Sequence, residues 1–464
     1  MLHRLGVSMK SKIVSLLRDR LLEKRCLKIG FLGLGKTNRA ILNMLDDEIP
    51  QAEVIIRSAS EVDSAMYPRA VIRTGENEKS NIDEDFLFVS PSVRRETLNT
   101  LSDTVVTSDT EIYFSSPLPA SFLISGSDGK STVTTMTSEI LSPTFPKLFT
   151  GGNIGTPLAL CNLSSTDAAV LELSSFNLRY IAPKSKRSVI TNITPNHLNW
   201  HESYAEYVDA KANLIRHCEE PIINVDTTEC ESLAKSTRLF AVCSYTRTHE
   251  ELRSVFSTEH TISFNGGIYI DGALALPIDN IKHKQRHNIE NLMSAVAITL
   301  GYTDTDTLSK VASSFTPLCH RCEHFLSANG IDFINSSIDT SPQRTATTLT
   351  GIGKSVSLIL GGSGKGLELS PLTSPLSKYA RRIAIYGNMR SELYGFIKAT
   401  PSLKHIPVSS FEHLYEAVEY MVTTLNEGDT LLLSPAATAY GEFGNFVERG
   451  NFFKEYIRNK YKKI

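Results

Sequence analysis

Residues 121–132 read SFLISGSDGKST, and this stretch indicates the fold class and a first ligand. An apolar strand at 121–125 runs into a glycine turn, and a helical pattern follows from Ser131. Glycines let backbone N–H groups face phosphate oxygens, and the helix N-terminus adds positive potential. Lys130 can neutralise the β- and γ-phosphates, and the Ser131 hydroxyl can bind Mg²⁺. We predict an ATP site formed by Gly126, Ser127, Asp128, Gly129, Lys130, Ser131 and Thr132; the alternative is a turn without a ligand.

Outward from this turn, short apolar runs alternate with helical periodicity along most of the chain. The alternation is typical of α/β domains with largely parallel sheets. The length, 464 residues, corresponds to about three domains of ordinary size. We therefore predict a Rossmann-like N-terminal domain at 1–110, a central P-loop ATPase-like domain at 111–317, and a Rossmann-like C-terminal domain at 318–464.

The clearest predicted elements follow from apolar runs and from apolar residues at helical spacing. Strands are predicted at 27–32, 52–56, 121–125, 331–335, 356–360, 382–386 and 430–433, and helices near 36–45, 131–141, 204–217 and 287–300. Residues 5–26, LGVSMKSKIVSLLRDRLLEKRC, place Ile13, Leu17 and Leu21 on one helical face. We predict a helix packed on the first domain, with a membrane-surface helix as the alternative.

Composition excludes several classes of protein. The 48 Lys and Arg residues balance 50 Asp and Glu, so no overall field attracts nucleic acid or an anionic membrane. No window approaches the ~18 uninterrupted apolar residues of a membrane span. Seven scattered cysteines fit a reducing cytoplasm. Cys319 and Cys322 have the spacing of half a zinc site, but no second ligand pair is evident, and we interpret them as structural.

Three further polar residues follow the glycine turn along the chain. Glu172 ends the apolar strand of AAVLELSSF, where an unpaired buried carboxylate is costly and a Mg²⁺ ion would offset the cost. The alternative is a carboxylate exposed at a strand end. His197 follows another apolar strand in VITNITPNHLNWH, and Lys211 lies in the helical stretch YVDAKANLI. Alone, the last two indicate little.

The order of motifs carries more information than any single one. In chain order they are GSDGKST, GGNIG, LELSSF, NITPNHLNWH with a downstream AK, RHNIEN, HRCE, GGSGKG, and SPA followed by NFVERG. Together they resemble the Mur ligase superfamily, from about Ser121 to the C-terminus. LELSSF, GGNIG and the terminal NFVERGNFF favour its D-glutamate-adding branch. The first 110 residues match loosely.

The resemblance implies an ATP-dependent amide ligase that adds D-glutamate to UDP-N-acetylmuramoyl-L-alanine through an acyl phosphate, in cytoplasmic peptidoglycan precursor synthesis. Its catalytic residues would be Lys130, Glu172, His197 and Lys211. Two Mg²⁺ ions would be held by Ser131, Glu172, His197 and Lys211, the last as a carbamate formed when a neutral lysine captures CO2. We expect a monomer with these three substrates as its partners.

The resemblance also implies residues for each substrate. For ATP they are Asn288, Asn291 and Arg321, in addition to the glycine turn. For the UDP substrate they are Gly35, Thr37, Asn153, Ser174 and His197, and for D-glutamate they are Thr340, Lys365 and Phe443.

Some positions depart from the family pattern. Where the family reads roughly Asn-Asp-Ser-Lys-Ala-Thr, this chain has Ser336 for the acid and Ile338 for the lysine. We expect Asp339 and Thr340 to take over these roles, with Arg344 supplying positive charge. Ala439 stands where a serine is common, so amino-acid selectivity is less secure than the type of reaction.

The GLGKTN turn at 33–38 resembles a dinucleotide loop but has Asn38 for its third glycine, and Arg57 ends the next strand where NAD would need an acid. An arginine there could face a phosphate of UDP; the alternative is a glycine turn that serves packing alone. Three other functions stay open: a sister ligase with another amino acid, a non-catalytic nucleotide-binding paralogue, and an oxidoreductase built on GLGKTN.

Overall fold

The computed structural model describes residues 8–461 except 24–25, 60–61, 76–78, 80, 99–100, 102, 199, 317–318 and 365–366. These residues form an α/β protein with three mostly parallel sheets, which confirms the predicted fold class. One compact unit ends at Phe315 and a second begins at Thr316. The first unit contains two of the sheets, and the predicted boundary at residue 110 lies inside a short helix. The division into three domains stays a prediction.

The first sheet is entirely parallel. Its part of the chain consists of α1 (Met9–Glu23), β1 (Lys28–Leu32), α2 (Lys36–Glu48), β2 (Glu53–Ser58), β3 (Ala70–Thr74), β4 (Phe86–Val89), β5 (Val105–Thr107) and α3 (Asp109–Phe114). The strand order is β3-β2-β1-β4-β5. The central strands β1 and β4 are almost entirely buried, and Phe31 stacks on Phe88 with ring centroids 5.5 Å apart.

Asn38 of the GLGKTN turn and Arg57 of β2 have structural roles that the sequence did not predict. Asn38 is buried, and its Nδ2 donates to the carbonyls of Gly33 (2.7 Å) and Phe88 (3.1 Å). Arg57 is fully buried and its Nε donates to Glu84 Oε1 at 2.6 Å. The expectation that Arg57 faces a phosphate is therefore wrong. Its charge is needed inside the fold, because an unpaired Glu84 carboxylate would be costly to bury.

The N-terminal segment forms the predicted helix α1, which packs on α2 of the predicted first domain and also on residues 158–161 of the predicted central domain. Met9, Ile13 and Leu17 are fully buried, and Met9 N donates to the Cys161 carbonyl at 2.9 Å. The apolar face is thus covered by protein and does not remain for a membrane surface. None of the described helices combines the length and apolar character needed to cross a bilayer.

The central sheet has nine strands and positions the candidate site. Its elements are β6 (Ala120–Ser125), α4 (Lys130–Leu141), β7 (Leu148–Gly152), β8 (Ala168–Glu172), α5 (Ser175–Leu178), β9 (Lys184–Ile190), α6 (Tyr204–Arg216), β10 (His217–Asn224), α7 (Thr228–Lys235), β11 (Leu239–Ser244), α8 (His249–Val255), β12 (Thr258–Phe264), β13 (Gly267–Ile270), β14 (Ala273–Pro277), α9 (Arg286–Thr299) and α10 (Thr305–Ser314). The order is β14-β13-β12-β11-β10-β9-β6-β8-β7. Only the pairs β12–β13 and β13–β14 are antiparallel. The adjacent parallel strands β9, β6 and β8 therefore open their carboxyl ends at one edge, where ligands of such sheets bind.

The second unit contains a six-stranded sheet. Its elements are β15 (Glu323–Ala328), β16 (Ile331–Asn335), α11 (Pro342–Ile352), β17 (Val356–Gly361), α12 (Thr373–Tyr379), β18 (Ala380–Tyr386), α13 (Arg390–Ala399), β19 (Val408–Ser410), α14 (Leu414–Thr423), β20 (Thr430–Leu433) and α15 (Phe446–Tyr461). The order is β15-β16-β20-β17-β18-β19, and only β15 pairs in an antiparallel manner. Alternate residues of β17 enter cores on opposite faces, with Leu358 and Leu360 on one side and Ile359 on the other.

Asp109, the first residue of α3, is a buried carboxyl that leads to a pH prediction. Its Oδ2 accepts from Ala159 N at 3.3 Å and its Oδ1 from Thr110 Oγ1 at 3.1 Å. Burial nevertheless raises the pKa of Asp109 from 3.8 to about 6. The folded state therefore prefers the protonated acid, and this contribution to stability is lost as pH rises from 3.8 through about 6.

We expect Asp109→Asn to remove this pH dependence. The quantity to compare is the free energy of unfolding of the variant minus that of the wild type. This difference should increase by up to about 3 kcal/mol from pH 4 to pH 7. Denaturation followed by emission from the chain's single tryptophan, Trp200, measures it. The exposed Asp103→Asn is the control. A difference that stays constant with pH would contradict the prediction.

Candidate active site

The turn between β6 and α4 is held so tightly that two of its residues must be glycine. Gly126 and Gly129 have φ angles of 153° and 78°, in the left-handed range that favours glycine. A Cβ at Gly126 would overlap the Thr191 hydroxyl, and one at Gly129 would overlap Oδ1 of Asn291. The structure thus brings Asn291 of α9 directly against the turn.

Hydrogen bonds fix the backbone of the turn from the β9 side. Ser127 N donates to the Asn192 carbonyl and Asp128 N donates to Asn192 Oδ1, both at 2.9 Å. Thr191 Oγ1 donates to the Asp128 carbonyl at 2.6 Å. The turn is therefore preorganised, and a phosphate would meet a backbone that needs little rearrangement.

Two lysines converge on one carbonyl of this turn. Lys130 Nζ donates to the carbonyls of Gly126 (2.9 Å) and Ser127 (2.8 Å), and Lys211 Nζ donates to the Gly126 carbonyl at 2.6 Å. Lys211 is 1% exposed and lies over the Tyr207 ring. Burial, with repulsion from Lys130, lowers the pKa of Lys211 well below its ordinary value. The Lys211 amine therefore loses its proton more readily than that of an exposed lysine.

Glu172, at the end of β8, has a carboxylate oxygen that no described residue satisfies. Its Oε1 accepts from Asn153 Nδ2 at 2.7 Å, but its Oε2 has no hydrogen-bond partner among the described residues. The residue is 1% exposed. A buried anionic oxygen without a donor fits a bound cation, and an oxygen ligand suits Mg²⁺. The described residues bring no three His, Cys, Asp or Glu side chains together, so other oxygens would have to complete the shell.

His197 lies exposed on the loop that follows β9, near the same sheet edge. Its φ of 54° is unusual for a non-glycine residue, and its ring contacts Phe176 with centroids 4.8 Å apart. Its carbonyl accepts from the backbone N–H groups of Trp200 (2.9 Å) and His201 (3.0 Å). The loop is therefore a compact turn that presents the imidazole to solvent.

Other predicted residues of this unit take defined positions. Ser174 is the N-cap of α5, and its hydroxyl accepts from Asn177 N at 3.2 Å. Asn288 is half-buried in the first turn of α9, and its Nδ2 donates to Gln285 Oε1. Gly35 is the exposed N-cap of α2, followed by the half-buried Thr37. Gly35 and Thr37 lie at the edge of the first sheet, whereas Ser174 and Asn288 lie on helices of the central sheet.

The second unit contains the predicted residues Arg321, Thr340 and Phe443. Arg321 is half-buried, and its Nε has no partner among the described residues. Thr340 N donates to the Ile338 carbonyl at 2.8 Å. Phe443 is half-buried with its ring 5.4 Å from that of Phe452. Lys365 lies outside the described residues.

The positions after β16 that depart from the family pattern, Ser336 and Asp339, are buried. Ser336 is fully buried, and its Oγ accepts from Cys322 N at 3.0 Å. Asp339 Oδ2 accepts from Ser434 Oγ (2.7 Å) and Thr348 Oγ1 (2.8 Å), and burial raises the pKa of Asp339. The expectation that Asp339 replaces an open, ligand-binding acid is therefore wrong: the carboxyl holds the turn that precedes α11.

Cys319 and Cys322 are both free thiols, Cys319 exposed and Cys322 half-buried. His320 and Glu323 of HRCE and the arginine of NFVERG have structural contacts that sequence reasoning missed. Arg449 is fully buried and donates to the Ser337 hydroxyl and carbonyl at 2.9 and 2.8 Å. His320 N donates to Glu323 Oε2 at 2.8 Å, and Asn335 Nδ2 is 2.8 Å from His320 Nδ1.

The fit of Gly129 to its surroundings leads to a further prediction. We expect Gly129→Ala to lower the affinity for ATP at least about tenfold, because the methyl group meets Asn291 and the φ of 78° strains alanine. Gly266→Ala is the matched control, since Gly266 has a φ of 65° but nothing within 4 Å of its Cβ position. Calorimetric titration with ATP measures both; equal affinities would contradict the prediction.

Comparison with known proteins relates this site to enzymes of known activity. A family model described as the Mur ligase middle domain matches residues 124–299. A UDP-N-acetylmuramoylalanine–D-glutamate ligase of Ruminiclostridium cellulolyticum is 34% identical over 399 residues, covering 81% of this chain and 83% of that protein. A protein of the same name from Clostridium botulinum is 31% identical over 450 residues, covering 93% of this chain and 96% of that protein.

Solved structures share the fold at much lower identity. A UDP-N-acetylmuramate–alanine ligase from Thermotoga maritima has a TM-score of 0.56 at 16% identity and covers 94% of this chain and 100% of that chain. The MurF ligase of Thermotoga maritima in complex with ADP has a TM-score of 0.53 at 12% identity, covering 93% and 95%. At these identities the likeness concerns the fold alone.

Proposed function

Because the chain belongs to the UDP-N-acetylmuramoylalanine–D-glutamate ligase family, we propose that it joins D-glutamate to UDP-N-acetylmuramoyl-L-alanine while ATP is cleaved to ADP and phosphate. It is an ATP-dependent ligase of peptidoglycan precursor synthesis. One structural observation carries the proposal: the buried Lys211 amine and the Glu172 oxygen that no described residue satisfies lie at the sheet edge that holds the turn between β6 and α4.

The proposed reaction passes through an acyl phosphate. A carboxylate oxygen of the alanyl group attacks the γ-phosphorus of ATP, and ADP leaves. The uncharged amino group of D-glutamate then attacks the acyl carbon, phosphate leaves with one former carboxylate oxygen, and the amine loses a proton. Lys130 and the N–H groups of the turn would stabilise the negative charge that moves between these groups.

Mg²⁺ would be held by Ser131, Glu172, His197 and a carbamate on Lys211. When bound, it would withdraw charge from the phosphoryl oxygens and orient them. The Glu172 oxygen, for which no described residue is a donor, supports this assignment, as does the buried Ser131 at the start of α4. Two ions fit the number of anionic groups that the three substrates bring together.

The Lys211 carbamate is supported by the state of its amine. A neutral lysine can attack CO2 through its nitrogen lone pair, with loss of one proton, and the product is an anion. A protonated lysine has no lone pair for this step. The lowered pKa of Lys211 therefore favours the reactive form, and nearby cations would stabilise the product.

The remaining assignments follow the family pattern. We propose that the N-terminal domain binds the UDP group at Gly35 and Thr37, that Asn153, Ser174 and His197 contact the muramoyl part, and that Asn288, Asn291 and Arg321 contact ATP. D-Glutamate would bind in the C-terminal domain at Thr340, Lys365 and Phe443. The enzyme would act as a monomer in the cytoplasm, which agrees with its seven free thiols.

A phosphate-release assay with a panel of amino acids tests the proposal. Purified protein receives ATP, Mg²⁺ and UDP-N-acetylmuramoyl-L-alanine, with D-glutamate, L-glutamate, L-alanine, L-lysine or meso-diaminopimelate in separate reactions. We expect phosphate release in the D-glutamate reaction and with no other amino acid of the panel. Release should also require both ATP and UDP-N-acetylmuramoyl-L-alanine. Release with another amino acid would indicate a sister ligase. ATP binding without release would indicate a nucleotide-binding paralogue.

A further inference from the structure

The only tryptophan of the chain, Trp200, joins the His197 loop to the first sheet. Its indole Nε1 donates to the Ser92 carbonyl at 2.7 Å, and its ring packs on Phe176 with centroids 4.3 Å apart. Its backbone N–H donates to the His197 carbonyl at 2.9 Å. One residue therefore contacts both the candidate catalytic histidine and a strand end of the other sheet.

Ser92 belongs to residues 90–96, which we call the bridging segment. It follows β4, and β4 lies beside β1, so the segment starts next to the GLGKTN turn. A Cβ at Gly33 would lie 2.9 Å from Ser90 Cβ and 3.1 Å from Val93 Cγ2. The bridging segment thus packs against the proposed UDP-binding turn at one end and receives the Trp200 indole at its middle.

Two ion pairs also join the bridging segment to residues of the central sheet's part of the chain. Arg94 Nη2 lies 2.8 Å from Glu202 Oε1, and Arg179 Nη2 lies 2.8 Å from Glu96 Oε1. Exposed pairs of this kind contribute little individually. The indole contact adds a hydrogen bond between the same two segments, and the indole N–H is a donor that needs an acceptor.

The backbone of His197 explains why such a contact is needed. A φ of 54° is less favourable than a negative φ even for histidine, which tolerates it better than most residues, so contacts from the surroundings help to hold the loop. Phe176 supports the imidazole from the side of α5, and the indole N–H attaches the loop to the bridging segment. Losing that attachment would leave the imidazole less well placed without unfolding the sheet.

We propose that Trp200 is a positioning residue for the ligation: its indole N–H holds the His197 loop in register with the turn that binds the UDP substrate. The inference rests on the proposed function. The coupling has two consequences, one for the rate of reaction and one for the emission of Trp200 when the first domain takes up its ligand.

Trp200→Phe tests the consequence for the rate, because phenylalanine keeps an aromatic ring beside Phe176 but removes the indole N–H together with one ring of the indole. We expect kcat to fall about tenfold, with the KM for ATP changed by less than about twofold and the thermal midpoint lowered by no more than a few degrees. Thr144→Val is the matched control, since Thr144 Oγ1 donates to the Tyr302 carbonyl at 2.7 Å elsewhere in the same unit. An unchanged kcat, or an equal fall for the control, would overturn the proposal.

Emission of the wild-type protein gives a second test that does not depend on any variant. We expect UDP-N-acetylmuramoyl-L-alanine, added without ATP, to change the Trp200 emission in a saturable manner, and UDP alone to give part of this change. No change at saturation would overturn the coupling. An emission change in a wild-type protein that releases no phosphate would contradict the proposed function while supporting the role of Trp200.

Discussion

Lys130→Ala is expected to lower ATP-dependent phosphate release by about a thousandfold or more. The Lys130 ammonium sits on the carbonyls of Gly126 and Ser127, so it is already held at the turn where the phosphates would bind. Alanine removes the charge that would stabilise the transferring phosphoryl group, and water cannot supply it in a fixed position. A phosphate-release assay at saturating substrates measures the effect.

The control for this change is Lys147→Ala, an exposed lysine in the same unit. It should leave both phosphate release and the thermal midpoint at wild-type values. Retention of more than about a tenth of wild-type activity by Lys130→Ala would show that the glycine turn does not take part in phosphoryl transfer.

Lys211→Ala is expected to lose activity to a similar extent, and here partial recovery is the informative result. If Lys211 works as a carbamate, a small carboxylate such as acetate can occupy the space left by alanine and supply an anionic oxygen. Millimolar acetate should then restore part of the phosphate release of Lys211→Ala and none of that of Lys130→Ala. Native mass spectrometry of the wild type should also detect the mass of one added CO2.

Two further variants sharpen this test. Lys211→Arg keeps a cation but cannot form the carbamate, so it should stay inactive with or without acetate. Lys235→Ala, which removes an exposed lysine paired with Glu231, should have wild-type activity. Full activity of Lys211→Arg would exclude a carbamate from the reaction.

The parts of the site that follow from local sequence were predictable. The turn between β6 and α4 is indicated by residues adjacent in the chain, and Glu172 could be predicted from an acid that ends an apolar strand. The pattern of α1 likewise predicted a buried face at Ile13 and Leu17, and both are buried. In each case a local pattern indicates the feature, although the contacts of the turn with Thr191, Asn192 and Asn291 come from distant segments.

The features that sequence reasoning missed depend on contacts between distant segments. The Arg57 guanidinium pairs with Glu84, 27 residues later, and only the folded sheet shows that both are buried. Asp339 meets Ser434 across 95 residues. The Trp200 indole reaches Ser92, which is 108 residues earlier. That Trp200 is the only tryptophan was visible in the sequence, but its acceptor was not.

The most direct test of the central claim follows the oxygen atoms of the reaction. UDP-N-acetylmuramoyl-L-alanine labelled with oxygen-18 in its carboxylate is incubated with ATP, Mg²⁺, D-glutamate and the wild-type protein, and the released phosphate is examined by mass spectrometry. Phosphate with one labelled oxygen, in amounts equal to the glutamyl product, is the predicted result. Unlabelled phosphate, or phosphate released without a glutamyl product, would contradict a ligation through an acyl phosphate.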